Sequence, residues 1–188
     1  MYVSEDILSA AREKYGIPEV LRFQTASAER EMDMIIASQK HGRAHDITLF
    51  IFRGEDIAVT AKHHYPPGMY RPPSGGLAPG ETLEDGAARE AREETGLDIE
   101  LEKYLLRIEV RFTSPTRTVN WTSHIFAARC IGGQIGPLDH HEIREARWAR
   151  PEELPEFSRL MRASNSGGLR YRAFLQNEVL ARLFPNQL

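Results

Sequence analysis

An α/β fold is the class this sequence predicts, and three observations carry it. Apolar runs of strand length alternate along the chain with segments of helical periodicity. Hydrophobic and charged contents of 41% and 27% are those expected of a soluble globular protein. A length of 188 residues suffices for one well-buried domain with an appendage and is too short for two domains of ordinary size.

Residues 4–15 read as an amphipathic helix, with Ser4 as cap, Ile7, Leu8, Ala11 and Tyr15 along one side, and Gly16 closing it. A strand is expected at 19–25 and a second helix at about 27–39, where Met32, Ile35 and Ile36 have core spacing. No motif assigns residues 1–45 a role. They could cover a sheet edge, form a homodimer contact or close over a ligand, with packing on the main domain as the default. Ile47–Phe52 and Ile57–Ala61 read as antiparallel strands joined by a turn at Arg53–Asp56. Residues 62–74, rich in Pro and Tyr, make an irregular approach to the next segment. Runs at 99–110, 119–130 and 143–149 read as further strands. Pro151 opens a helix, and residues 169–184 form a last one behind a flexible Ser164–Gly168 linker.

Residues 75–97 carry most of the functional information. Thr82 can cap a helix with Asp85 three residues on, Ala87, Ala88 and Ala91 favour it, and Gly96 stops it. Successive helical residues turn by about 100°, so Glu90, Glu93 and Glu94 project from one face, with Leu83 and Leu97 near the same sector. Like charges held that close repel, and a hard cation such as Mg²⁺ or Mn²⁺ among the oxygens removes the repulsion. Upstream, Gly75, Gly76, Pro79 and Gly80 are expected to lie outside any regular element, in a tight loop whose backbone approaches the ligand closely.

Charge and cysteine content narrow the function. With 24 Lys and Arg against 27 Asp and Glu, the formal net charge of −3 disfavours nonspecific nucleic-acid binding. Cys130, the single cysteine, permits no internal disulfide and reads as a buried small hydrophobe. No apolar stretch has signal or membrane-spanning length, so a cytoplasmic location without membrane contact is expected.

The 75–97 stretch resembles the Nudix box, with Gly75, Glu81, Arg89, Glu90, Glu93, Glu94, Gly96 and Leu97 at the required places. It departs at Ala91, where a bulkier aliphatic is usual and where the role is packing. The resemblance implies a Nudix-type α/β/α sandwich with a mixed β-sheet and a loop-helix-loop catalytic motif. The domain would run from 46 to 188 with C-terminal helices, preceded by a helical extension over 1–45. It further implies a Mg²⁺- or Mn²⁺-dependent pyrophosphohydrolase cleaving a phosphoanhydride in a nucleoside diphosphate linked to another group, ADP-ribose-like derivatives among them. On that basis Glu90, Glu93, Glu94 and the Gly75 carbonyl are metal ligands, Glu81 serves a second shell or second metal, and Arg89 keeps the carboxylates oriented. The loop Asp139-His140-His141-Glu142 offers Glu142 as general base. Lys62 and Arg71 are candidates for the phosphates, and Phe112 and Trp121 for a purine. A Nudix-fold nucleotide sensor without turnover is the alternative, disfavoured because every box carboxylate is kept.

Overall fold

The computed structural model describes residues 3–39 and 42–185. Its elements run α1 (Glu5–Tyr15), β1 (Glu19–Ala26), α2 (Glu29–Ser38), β2 (His45–Arg53), β3 (Asp56–Lys62), β4 (Ser74–Gly76) and α3 (Leu83–Thr95). They continue with β5 (Leu97–Thr113), β6 (Thr118–Gly133), β7 (Ile143–Ala149), a 3₁₀ turn at Pro151–Glu153, α4 (Leu154–Ala163) and α5 (Gly167–Leu183). The strands form one mixed sheet in the order β1-β5-β6-β2-β3-β7, with β4 also on β2. The β1–β5 and β2–β6 pairs are parallel and the others antiparallel.

Alternation along β2 divides the core into two layers. Ile47, Leu49 and Ile51 pack with Leu83, Ala87 and Ala91 of α3 and with Leu8 of α1. Phe50 points the other way, into a cluster holding Met32 of α2, Phe157 of α4 and Leu175 of α5. The sheet is thus covered on both faces, as an α/β/α sandwich, and a strand buried on both faces must be apolar almost throughout. That is why residues 47–51 form a continuous hydrophobic run with Thr48 as the one polar member.

Several boundaries differ from the sequence reading for identifiable reasons. β5 and β6 extend beyond 99–110 and 119–130 because their polar outer residues continue the ladder to a tight turn, where Ser114 N donates to Arg117 O at 2.8 Å. Gly75 and Gly76 do belong to a regular element. They pair with Ile47 and Asp46, and a partner strand so far back in the chain leaves no local signal. Cys130 is half-buried rather than buried, since it lies where β6 runs out toward solvent. The 164–168 segment is no loose linker. Glu31 of α2 accepts from Ser166 Oγ at 2.5 Å, Gly167 N at 2.9 Å and Gly168 N at 2.8 Å, so a side chain from the N-terminal region caps α5. Residues before 45 also give the sheet an edge strand, β1, which pairs with β5 from Glu19 to Ala26.

Candidate functional site

The capping chemistry fixes α3 at both ends. Asp85 N donates to Thr82 Oγ1 at 3.0 Å, and Gly96 takes a left-handed φ of 70° while its N–H donates to Arg92 O. A Cβ at Gly96 would also meet Gly136 O at 2.6 Å, so glycine is required twice over. The carboxylate face that follows is graded in depth. Glu94 is 4% exposed, Glu90 8%, and Glu93 is exposed.

Arg89 is the hub of this face. It holds Glu81 with two donors, at 2.8 and 2.9 Å, reaches the Gly76 carbonyl at 3.0 Å, and donates to Glu90 at 2.7 Å and Glu93 at 3.2 Å. The guanidinium lowers the Glu81 pKa. Glu90 moves the other way: burial pushes it up to about 7, Arg89 opposes the rise, and the neighbouring charges of Glu94 and Glu93 add to it. Glu90 Oε2 and Glu93 Oε1 accept no hydrogen bond among the described residues. Gly75 exists for Glu90: a Cβ there would lie 1.8 Å from the Glu90 carboxyl carbon.

Glu94 is held differently. Its Oε1 accepts from Arg71 Nη2 at 3.1 Å and its Oε2 from the Ser74 N–H at 2.9 Å. Arg71 is 3% exposed and also donates to Tyr65 Oη, the Pro72 carbonyl and Ser74 Oγ. Arg71, expected at the phosphates, lines the cavity, and four of its hydrogen bonds go to protein groups, so it also serves as a buried strut behind Glu94. Hard, desolvated carboxylate oxygens beside a glycine that yields space to them are a donor set suited to Mg²⁺ or Mn²⁺. They are not preassembled. Among the described residues no three Asp, Glu, His or Cys side chains converge on one point, since Arg89 and Arg71 hold the same anions.

The 136–142 loop is anchored on the end of α3: the N–H groups of Leu138 and Asp139 both donate to the Glu93 carbonyl at 2.9 Å. Asp139 Oδ1 accepts from His141 N and Glu142 N, and Glu142 forms an ion pair with Lys62 at the end of β3. Two residues assigned to separate tasks from sequence are thus brought together. Trp121 is half-buried on β6 and lines the same cavity of about 810 Å³ as the carboxylates. Phe112 borders the same cavity but is 5% exposed and set edge-on to Tyr171 at 5.9 Å, so most of its ring is packed in the core. Sequence reasoning missed the far wall, where Arg172 of α5 pairs with buried Asp46 at 2.6 Å and with Thr48 Oγ1 at 2.8 Å, and where Arg43 lies. Nothing local links residues 126 positions apart.

Known proteins are similar to this chain. The NAD-capped RNA hydrolase NudC of Stutzerimonas stutzeri (strain A1501) is 32% identical over 107 residues, 57% of this chain and 36% of that protein. The RNA pyrophosphohydrolase of Erythrobacter litoralis (strain HTCC2594) is 34% identical over 103 residues, 47% of this chain and 63% of that one. This chain spans between 36% and 42% of the length of three NudC relatives it matches. A NUDIX hydrolase structure from Nitrosomonas europaea shares the fold at a TM-score of 0.55 and 18% identity, covering 77% of this chain and 74% of that one. Residues 40–168, more than half of the sequence, match the NUDIX domain, and the chain belongs to that family.

Proposed function

We propose that the cleft hydrolyses a phosphoanhydride bond in a nucleoside diphosphate joined to another group, with Glu90, Glu93, Glu94 and the Gly75 carbonyl holding a divalent ion. The observation that carries this reading is the Glu90 carboxyl seated against Gly75, desolvated and beside two further carboxylates. When bound, the ion would neutralise these anions, attract the diphosphate and acidify water at the reacting phosphorus.

The chain's own groups do the rest. Arg89 keeps Glu81, Glu90 and Glu93 in fixed relation, and each carboxylate oxygen that accepts its hydrogen bond retains a second lone pair. Arg71 fixes Glu94 from behind. Glu142 is the group to take a proton from the attacking water. It forms an ion pair with Lys62, which can turn toward an arriving phosphoryl group. Trp121 offers a partly open ring to a planar end group. NAD-capped RNA, which the NudC relatives act on by name, presents the same linkage, so an RNA end joins small nucleotides as a candidate substrate form.

A nucleotide sensor without turnover is the second reading, favoured by the lack of a preassembled coordination sphere among the described residues. The test is release of phosphate or nucleoside monophosphate from ADP-ribose, diadenosine polyphosphates, nucleoside triphosphates, sugar nucleotides and NAD-capped RNA, with Mg²⁺ or Mn²⁺ and with chelator. Turnover of any member that stops on chelation supports the hydrolase. Saturable binding with no turnover of any member supports the sensor and overturns the hydrolase.

A further inference from the structure

Most cations that line the cleft are neutralised by the protein itself. Lys62 is paired with Glu142, Arg71 with Glu94 and Arg172 with Asp46. Arg43 is the exception on the inner wall. It is half-buried, has no carboxylate within ion-pair distance among the described residues, and makes a single hydrogen bond, from Nε to the Ser38 carbonyl at 3.0 Å. Both Nη groups are left without a protein acceptor among the described residues, and a guanidinium held by Nε alone presents its open fork to whatever enters. Burying a cation without a counter-charge is unfavourable, so such a group calls for an anion from outside the chain.

The glycine pair of β4 positions it. A Cβ at Gly76 would meet Arg43 Nη1 at 2.4 Å, just as one at Gly75 would strike Glu90. Successive strand residues face opposite sides, so one three-residue strand carries a carboxylate against one face and a guanidinium against the other, both bordering the same cavity. We infer that Arg43 is an anion-binding residue that grips one phosphoryl group of the ligand at the Gly76 side of the cleft, across β4 from the carboxylates. The helix that precedes the family-matched segment holds it there. α2 ends at Ser38, whose carbonyl orients Arg43, and α2 is itself pinned by Arg117 to Glu29 and Asp33 and by Glu31 to the start of α5. An oxyanion between the open Nη groups satisfies them in two parallel hydrogen bonds. Serving as a cap for the α2 carbonyls would require Nε alone.

This inference rests on the cleft being a phosphate-ester site but not on turnover, so it can be tested without a metal. The four ribonucleoside 5′-monophosphates are titrated against the full chain in EDTA, following heat and tryptophan fluorescence, beside the parent nucleosides. Wild type is expected to bind at least one monophosphate, with affinity lowered about ten- to a hundredfold in Arg43→Gln and less in Arg43→Lys, while nucleoside binding is unchanged. Arg30→Gln, which removes an exposed arginine at the cleft's rim, serves as the charge control, and melting curves verify that each variant is folded. Equal monophosphate affinity in wild type and Arg43→Gln, or no binding of any monophosphate to wild type, would overturn the proposal. Hydrolysis of a diphosphate that proceeds with unchanged KM in Arg43→Gln sinks this inference and leaves the hydrolase standing. Monophosphate binding that depends on Arg43 in a chain without turnover does the reverse.

Discussion

Two arginines hold the box carboxylates, and they do so in opposite regimes. Arg71 and Glu94 form a buried pair, with four hydrogen bonds from the guanidinium to protein groups and both Glu94 oxygens accepting one. Arg89 sits at the surface of the same helix, a third exposed, and shares itself among Glu81, Glu90 and Glu93 while leaving one oxygen of Glu90 and one of Glu93 open. The lesson is that one kind of ion pair serves two purposes according to burial. In the dry pair, losing either partner strands a charge. In the wet one, Arg89 acts as a resident counter-ion that a stronger cation can share or displace.

Breaking the dry pair should have the largest effect. Glu94→Gln leaves Arg71 charged and buried, so the fold should lose about 3–5 kcal/mol, read as a fall of roughly 10 °C in Tm. An unchanged melting curve would contradict the strut. Glu90→Gln should do the converse, lowering metal-dependent turnover roughly a hundredfold or more while stability holds or rises, because burial already disfavours the Glu90 charge. Gly75→Ala sharpens the contrast. Its new methyl meets the Glu90 carboxyl first, the far end of a side chain that can shift, so Tm should move by no more than the equivalent of about 1 kcal/mol while turnover falls with displacement of the carboxylate. An effect seen only on acidification lies away from the site. His124 is buried against Tyr104 and His45, and desolvation pushes its pKa down to about 3. The native state therefore binds fewer protons than the unfolded chain between that value and 6.5, so the contribution is whole above 6.5 and erodes as pH falls. Wild type should lose about 2 kcal/mol more than His124→Gln between pH 7 and pH 5, measured by denaturant titration.

Local chemistry was legible in the sequence and long-range pairing was not. The cap at Thr82, the stop at Gly96 and the one-sided carboxylates follow from residues within a few turns of each other, and α3 occupies the expected place. The bounds of β7 are those read from residues 143–149. By contrast, Gly75 and Gly76 look like loop residues until β2 is beside them, and Arg71 looks like a free cation until Glu94 is folded over it. Phe112 and Trp121 have the same strand pattern in sequence and both border the cleft, and only the packing of α5 on the sheet leaves the first buried and the second half-exposed. The far wall, built from Asp46, Arg172 and Arg43, joins chain regions that meet only in the finished fold.

The central claim is that a divalent ion takes its place among Glu90, Glu93 and Glu94 while Arg89 yields part of its hold. Mn²⁺ titration of the wild-type chain and of Glu90→Gln, followed by electron paramagnetic resonance with Mg²⁺ as competitor, addresses it without any substrate. Saturable binding that Mg²⁺ displaces, weakened at least tenfold in Glu90→Gln, is the predicted result. Equal Mn²⁺ uptake by both proteins, or none by the wild type, would contradict the account.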